Sequence, residues 1–179
     1  MYLVVTDPPG PCHDGPVTVQ EVDLKAIDFA AAAWREEGRW VSSAMPARIA
    51  TTVDTLVSAL RQLPGENGVF GFVGVGDECF LIFRVDAIGT RVFISDSVAV
   101  LDWSLAEEAA DLIGLEWEED DLEEFVPIGD LSILADLGID DDEISLLVDE
   151  SDMYPDDQVK AIAKRLGLGE QFDKALRAR

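Results

Sequence analysis

The chain has 179 residues, 48% of them hydrophobic, and carries 37 Asp and Glu against 13 Lys and Arg, for a net charge of −24. That length suits one ordinary domain, or a domain with a small helical extension, and the apolar content excludes the composition of a disordered chain. So negative a body repels phosphate, so direct nucleic-acid binding is not expected and a cationic protein surface is the partner that it favours.

Residues 1–5 are largely apolar but have no basic leader, and Asp7-Pro8-Pro9 interrupts the run, so no secretory signal is expected. No apolar stretch approaches the roughly 20 residues that span a bilayer. Two distant cysteines, Cys12 and Cys79, suggest no disulfide framework. The expectation is a soluble, cytoplasmic protein. Residues 6–16 hold four prolines and two glycines and read as irregular chain, with Cys12 and His13 inside it. Residues 27–34 and 39–44 then have strand character and flank Glu36-Glu37-Gly38, a hairpin turn; the run Ala30-Ala31-Ala32-Ala33 is compatible with helix as well. Thr51 or Thr52 caps a helix with apolar positions Val53, Leu56, Val57 and Leu60 at i, i+3, i+4 and i+7, ended by Pro64-Gly65. Three strands follow at 69–75, 79–85 and 90–95, rich in phenylalanine and separated by turns short enough for an antiparallel meander. Ser104 with Glu107 forms a capping box for a helix whose buried stripe is Leu105, Ala109 and Leu112, with Gly114 just past its end.

This order, ββαβββα, resembles the roadblock, longin and profilin-like sandwich. It predicts an α+β fold with a five-stranded antiparallel sheet. An acidic group of short helices follows. Asp140 with Glu143 makes a second capping box, and Ile139 staples onto Ile144 across it. Pro155 opens another helix at its first position, with Val159, Ile162, Ala163 and Leu166 as its apolar face; Phe172 and Leu176 mark a last short one. The expected organisation is an irregular segment over 1–26, a sheet domain over 27–114 and an acidic helical extension over 115–179 packed on the sheet.

The charge is unevenly placed. Residues 92–159 contain 23 Asp and Glu and no Lys, Arg or His, whereas 160–179 hold six basic residues and two acids. The bland role of such a block is solubility.

Three segments carry a family resemblance. They are Gly68-Val69-Phe70-Gly71-Phe72-Val73 with Gly76-Asp77-Glu78 and Phe80; Ile94-Ser95-Asp96-Ser97 with Leu101-Asp102-Trp103; and Pro127-Ile128-Gly129-Asp130-Leu131 with Ala135-Asp136-Leu137-Gly138, Tyr154-Pro155 and residues 163–167. Together, over about 27–172, they resemble the actinobacterial tRNA adenosine deaminase-associated proteins, an uncharacterised family. The resemblance implies association with that deaminase and brings no catalytic residues with it.

Residue chemistry points away from catalysis. His13 is the one histidine, and a neighbouring Cys12 aligns poorly with it as nucleophile and base. There is no C-x-x-C for a zinc deaminase site, so the chain is not itself the deaminase. The acidic clusters 118–121, 140–143 and 149–152 lack the spacing of a calcium loop, and Asp140, Glu143, Asp156 and Asp157 suit helix starts. Gly71, Gly74 and Gly76 alternate in a strand with no helix after them, so they serve close packing rather than a phosphate cradle. Asp96-Ser97 ends a strand, where a capping role is expected. Trp103 is expected in the core; Trp117 fits either core or anchor. No catalytic, metal or cofactor residue is assigned.

The expectation is therefore a non-catalytic accessory protein that binds a basic protein, with tRNA adenosine deaminase the candidate, through Glu116, Trp117, Glu118, Glu119, Asp120, Asp121, Glu123 and Glu124. A carboxylate-based divalent-metal enzyme and a self-associating module, such as a homodimer, remain the alternatives.

Overall fold

The computed structural model describes residues 24–149 and 152–178; the Pro/Gly-rich segment with Cys12 and His13 lies outside the described residues. Strands β1 (Ile27–Glu36) and β2 (Arg39–Ala44) form the expected hairpin. Both turn residues are left-handed, Glu37 at φ 50° and Gly38 at φ 73°. A two-residue turn of that hand matches the twist of the flanking strands. The alanine run is strand, because β1 is hydrogen-bonded on both sides, to β2 and to β3 (Val69–Val75).

Helix α1 (Val53–Leu60) carries the chain from the edge strand β2 across β1 to β3. Thr52 caps it by accepting the Thr55 N–H, and Val53, Leu56, Val57 and Leu60 are all buried. Strands β4 (Cys79–Val85) and β5 (Thr90–Ile94) continue as an antiparallel meander. The sheet has six strands, not the five expected. Ile128–Gly129 forms β6, paired antiparallel with Ile94 and Phe93, and the order is β2-β1-β3-β4-β5-β6. A two-residue strand after a proline has no alternation for a periodicity argument to detect.

Both faces of the sheet are covered, which is why β3 and β4 are buried along their whole lengths. One face carries Val69, Val73, Leu81, Phe83 and Ile94 against α1, α2 (Ala99–Asp102) and α3 (Ser104–Leu112). The other carries Phe29, Phe70, Phe72, Phe80 and Phe93 against α4 (Asp141–Val148), α5 (Pro155–Arg165) and α6 (Gly169–Arg177). Two strand glycines make room for this packing: a Cβ on Gly71 would lie 2.9 Å from Leu60, and one on Gly74 would lie 2.1 Å from the Phe29 ring. At the second face the Phe172 ring meets Phe72 edge-on, 5.3 Å between centroids, and Trp40 Nε1 donates to the Leu166 carbonyl at 3.0 Å.

The helix starts differ in part from expectation. Asp140 Oδ1 does accept the Glu143 N–H at 2.9 Å, but the Glu143 carboxylate reaches across to Arg165 at 2.6 Å instead of completing the box. Trp103, not Ser104, occupies the cap position of α3, with no side-chain cap. Leu112 is 47% exposed, since the helix ends there and its last turn leaves the sheet.

Candidate functional site

Gly76, Asp77 and Glu78 join β3 to β4 at one end of the sheet. Gly76 adopts φ 65°, and an added Cβ would sit 2.2 Å from the Trp103 ring, so glycine is required on both counts. Trp103 is half-buried against the core, and its Nε1 donates to Glu78 Oε2 at 3.2 Å. Asp96 Oδ1 accepts the Val98 N–H at 3.0 Å, an Asx turn leading into α2 and not the helix cap expected of it, since Val98 holds the cap position without a side-chain cap.

Ser97, buried at 2% exposure, holds the loop beyond α3. Its Oγ donates to the Glu123 carbonyl at 2.8 Å and accepts the Glu123 N–H at 3.1 Å; its own N–H donates to the Val126 carbonyl at 2.9 Å. The clamped loop presents Phe125 in the left-handed region, φ 61°, with 53% of the residue exposed. A phenylalanine in that conformation carries backbone strain that its packing does not explain.

A groove of about 540 Å³ is lined by Asp77, Glu78, Asp96, Asp102, Glu124 and Asp152, with the rings of Phe125 and Tyr154. Six carboxylates, two of them neighbours on the β3–β4 turn, thus line one concavity. None of them forms an ion pair among the described residues, where the acids paired to Lys or Arg are Asp86, Asp130, Asp136, Glu143, Asp156 and Asp157. Burial pushes the Cys79 thiol far up from its ordinary value, and the charges of Asp96, Glu78, Asp28 and Asp102 push it further. The residue is buried and in its unreactive thiol form, so it offers no nucleophile. Among the described residues no three His, Cys, Asp or Glu side chains gather closely enough to hold a metal ion. The arrangement suits cationic side chains arriving from outside, with two exposed aromatic rings, Phe125 and Tyr154, for their aliphatic stems.

Of the eight residues singled out in the sequence, Glu124 alone lines the groove. Glu116, Glu118, Glu119, Asp120, Asp121 and Glu123 are exposed beside it, and 119–121 make one 3-10 turn. Trp117 is half-buried and packs against the core, so it is not a free anchor. Asp77, Glu78, Asp102 and Tyr154 stood in the sequence only within the family resemblance, and Asp152 within an acidic cluster; none was placed in a site with Phe125, because contacts distant along the chain assemble them. A hairpin turn written Gly-Asp-Glu was the one local sign.

Residues 28–169 match the family model described as "Rv3753c-like tRNA adenosine deaminase-associated protein". The chain belongs to that family. It is also 37% identical over 150 residues to Protein Rv3753c of Mycobacterium tuberculosis, covering 83% of this chain and 87% of that one. No solved structure matches it. The match to the deaminase-associated family spans the three segments that carried the resemblance, and with them the β3–β4 turn, Asp96-Ser97 and Tyr154-Pro155 at the groove. The family is described as associated with a deaminase, not as a deaminase. No helix among the described residues is long and apolar enough to cross a membrane.

Proposed function

We propose that this chain is a non-catalytic accessory protein of the cytoplasm that binds a basic protein through the groove, with tRNA adenosine deaminase the first candidate. The single observation carrying this is six carboxylates in one concavity with no ion-pair partner among the described residues, bordered by a strained, exposed Phe125. The family description names the deaminase and so supports the choice of candidate. A tRNA-modifying enzyme needs a cationic surface to hold phosphates, and that surface is what a body of charge −24 would dock on. Docking there competes with tRNA and modulates the enzyme by occupying its substrate surface. The exposed carboxylates at 116, 118–121 and 123 add to the negative field, steering the encounter more than holding the complex.

The test is co-purification of tagged deaminase with this chain at about 0.05 M and 0.5 M salt, where the Debye length shrinks from roughly 14 to 4 Å. Retention at low salt and release at high salt are expected. Absence of the chain at both, or retention unchanged by salt, would count against an electrostatic complex with that partner.

A further inference from the structure

At the opposite end of the same strands, roughly 20 Å from the groove along β3 at about 3.3 Å per residue, arginines join the carboxylates. A cleft of about 630 Å³ lies where β1, β3 and β4 meet the end of α1, and three arginines line it: Arg35, Arg61 and Arg84. In a chain with 37 acids and 13 bases, a cleft in which three arginines match three carboxylates, Glu66, Asp86 and Asp136, stands apart from the acidic surface. Its volume falls within the range of small-molecule sites.

The three carboxylates in the same wall are already engaged. Glu66 accepts the Glu37 N–H, Asp86 accepts the Ile88 and Gly89 N–H groups and pairs with Arg91, and Asp136 takes a bidentate bond from Arg84 at 2.5 and 2.7 Å. Arg84 is thus paired, but among the described residues the other two arginines are not. Arg35 stacks over the Trp40 ring at 4.7 Å, and neither it nor Arg61 has an ion-pair partner among the described residues. Two buried donors have no acceptor among the described residues: Arg35 Nε, and Nε of Arg84, a residue only 6% exposed. The nearest carboxylate oxygen to Arg84 Nε is Asp86 Oδ2 at 3.7 Å, too far for a hydrogen bond. Buried guanidinium N–H groups left unmade cost more than neutral ones, and an anionic oxygen is the acceptor that suits them. Gly68, at φ 101°, keeps the wall beside Arg84 Nε free of a side chain.

We propose that this cleft binds a small organic anion bearing a phosphate or a carboxylate. Arg35 and Arg61 supply the charge, and the Nε–H groups of Arg35 and Arg84 supply directed donors. The site is independent of the acidic groove, so its failure would leave the partner proposal standing.

The test is a titration of the ¹⁵N-labelled full chain with inorganic phosphate, adenosine monophosphate and succinate, each against sodium chloride at matched ionic strength. The readouts are the Arg35 and Arg84 Nε–H resonances and the Trp40 indole N–H. Saturable shifts of these signals, with the Arg48 Nε–H as an unmoved control, are expected. The arm that saturates first separates phosphate from carboxylate. Arg35→Gln and Arg61→Gln, neither of which breaks an ion pair among the described residues, should each weaken binding about tenfold or more, or 1.4 kcal/mol, with the fold's remaining spectrum unchanged. Shifts no greater than those with chloride, or binding indifferent to both substitutions, would overturn the proposal.

Discussion

Replacing Phe172 by Ala tests whether the acidic C-terminal half is a layer of the same core or a separate lobe. Phe172 is fully buried on α6, its ring edge-on to Phe72 in the central strand β3. Truncating a buried phenylalanine costs about 3–5 kcal/mol, the transfer term plus the cavity left behind. For a chain near this size each kcal/mol lowers Tm by about 2–4 °C, so a fall of roughly 6–20 °C is expected. Melts followed by tryptophan fluorescence and by far-ultraviolet circular dichroism should shift together, because Trp40 and Trp34 belong to strands that this helix covers. A fall under about 3 °C, or an early loss of helix signal with the tryptophan transition unmoved, would refute a shared core. The groove depends on the outcome, since Asp152 and Tyr154 come from the chain entering α5 while Asp77 and Glu78 come from the β3–β4 turn.

Three further outcomes follow from the same geometry. Phe125→Asn places a residue that tolerates the left-handed region at φ 61°; urea unfolding should show stability within about 1 kcal/mol of wild type, while partner affinity falls, and parallel losses of both would deny Phe125 a binding role. With a charge of −24, Tm should rise as salt goes from low concentration to about 0.15 M, where the Debye length is roughly 8 Å; a flat profile means that self-repulsion is unimportant. The hydrogen bonds from Arg84, with its charge, hold the Asp136 carboxyl below the usual carboxylate range against a smaller opposing effect of burial. A depressed folded value means that this pair's stabilisation is present above the unfolded value of about 3.9 and is lost as pH falls through the folded one. Asp136→Asn should thus destabilise by about 2 kcal/mol at pH 7, discounted from a buried pair because Asp136 is half exposed, and the gap should narrow in strong acid; a gap independent of pH would contradict this.

Much of the fold was legible because its signals are local. The Glu37-Gly38 turn, the Thr52 cap, Pro155 at a helix start and the aromatic strands each depend on a few adjacent residues. Where the structure departs, tertiary context decided. Glu143 found Arg165 on another helix in place of its own N-terminus, and β6 exists only because Gly129 approaches β5 closely, where a Cβ would lie 2.4 Å from the Val92 carbonyl oxygen. Trp117 and Glu124 belong to one acidic stretch, yet one packs inward and the other lines the groove. The direction of a side chain in an irregular loop is set by partners such as Ser97, 26 residues from Glu123, and no periodicity reports that.

The most direct test of the acidic groove as the docking surface is calorimetric titration of the deaminase with wild type and with a chain carrying Asp77→Asn, Glu78→Gln, Asp102→Asn and Glu124→Gln. None of these four side chains forms an ion pair among the described residues, and Gln at 78 keeps an oxygen for Trp103. At about 0.05 M salt the predicted loss is tenfold or more in affinity, with a flatter salt dependence and an unchanged melt. Equal affinity and equal salt dependence in the two chains would contradict the groove as the docking surface.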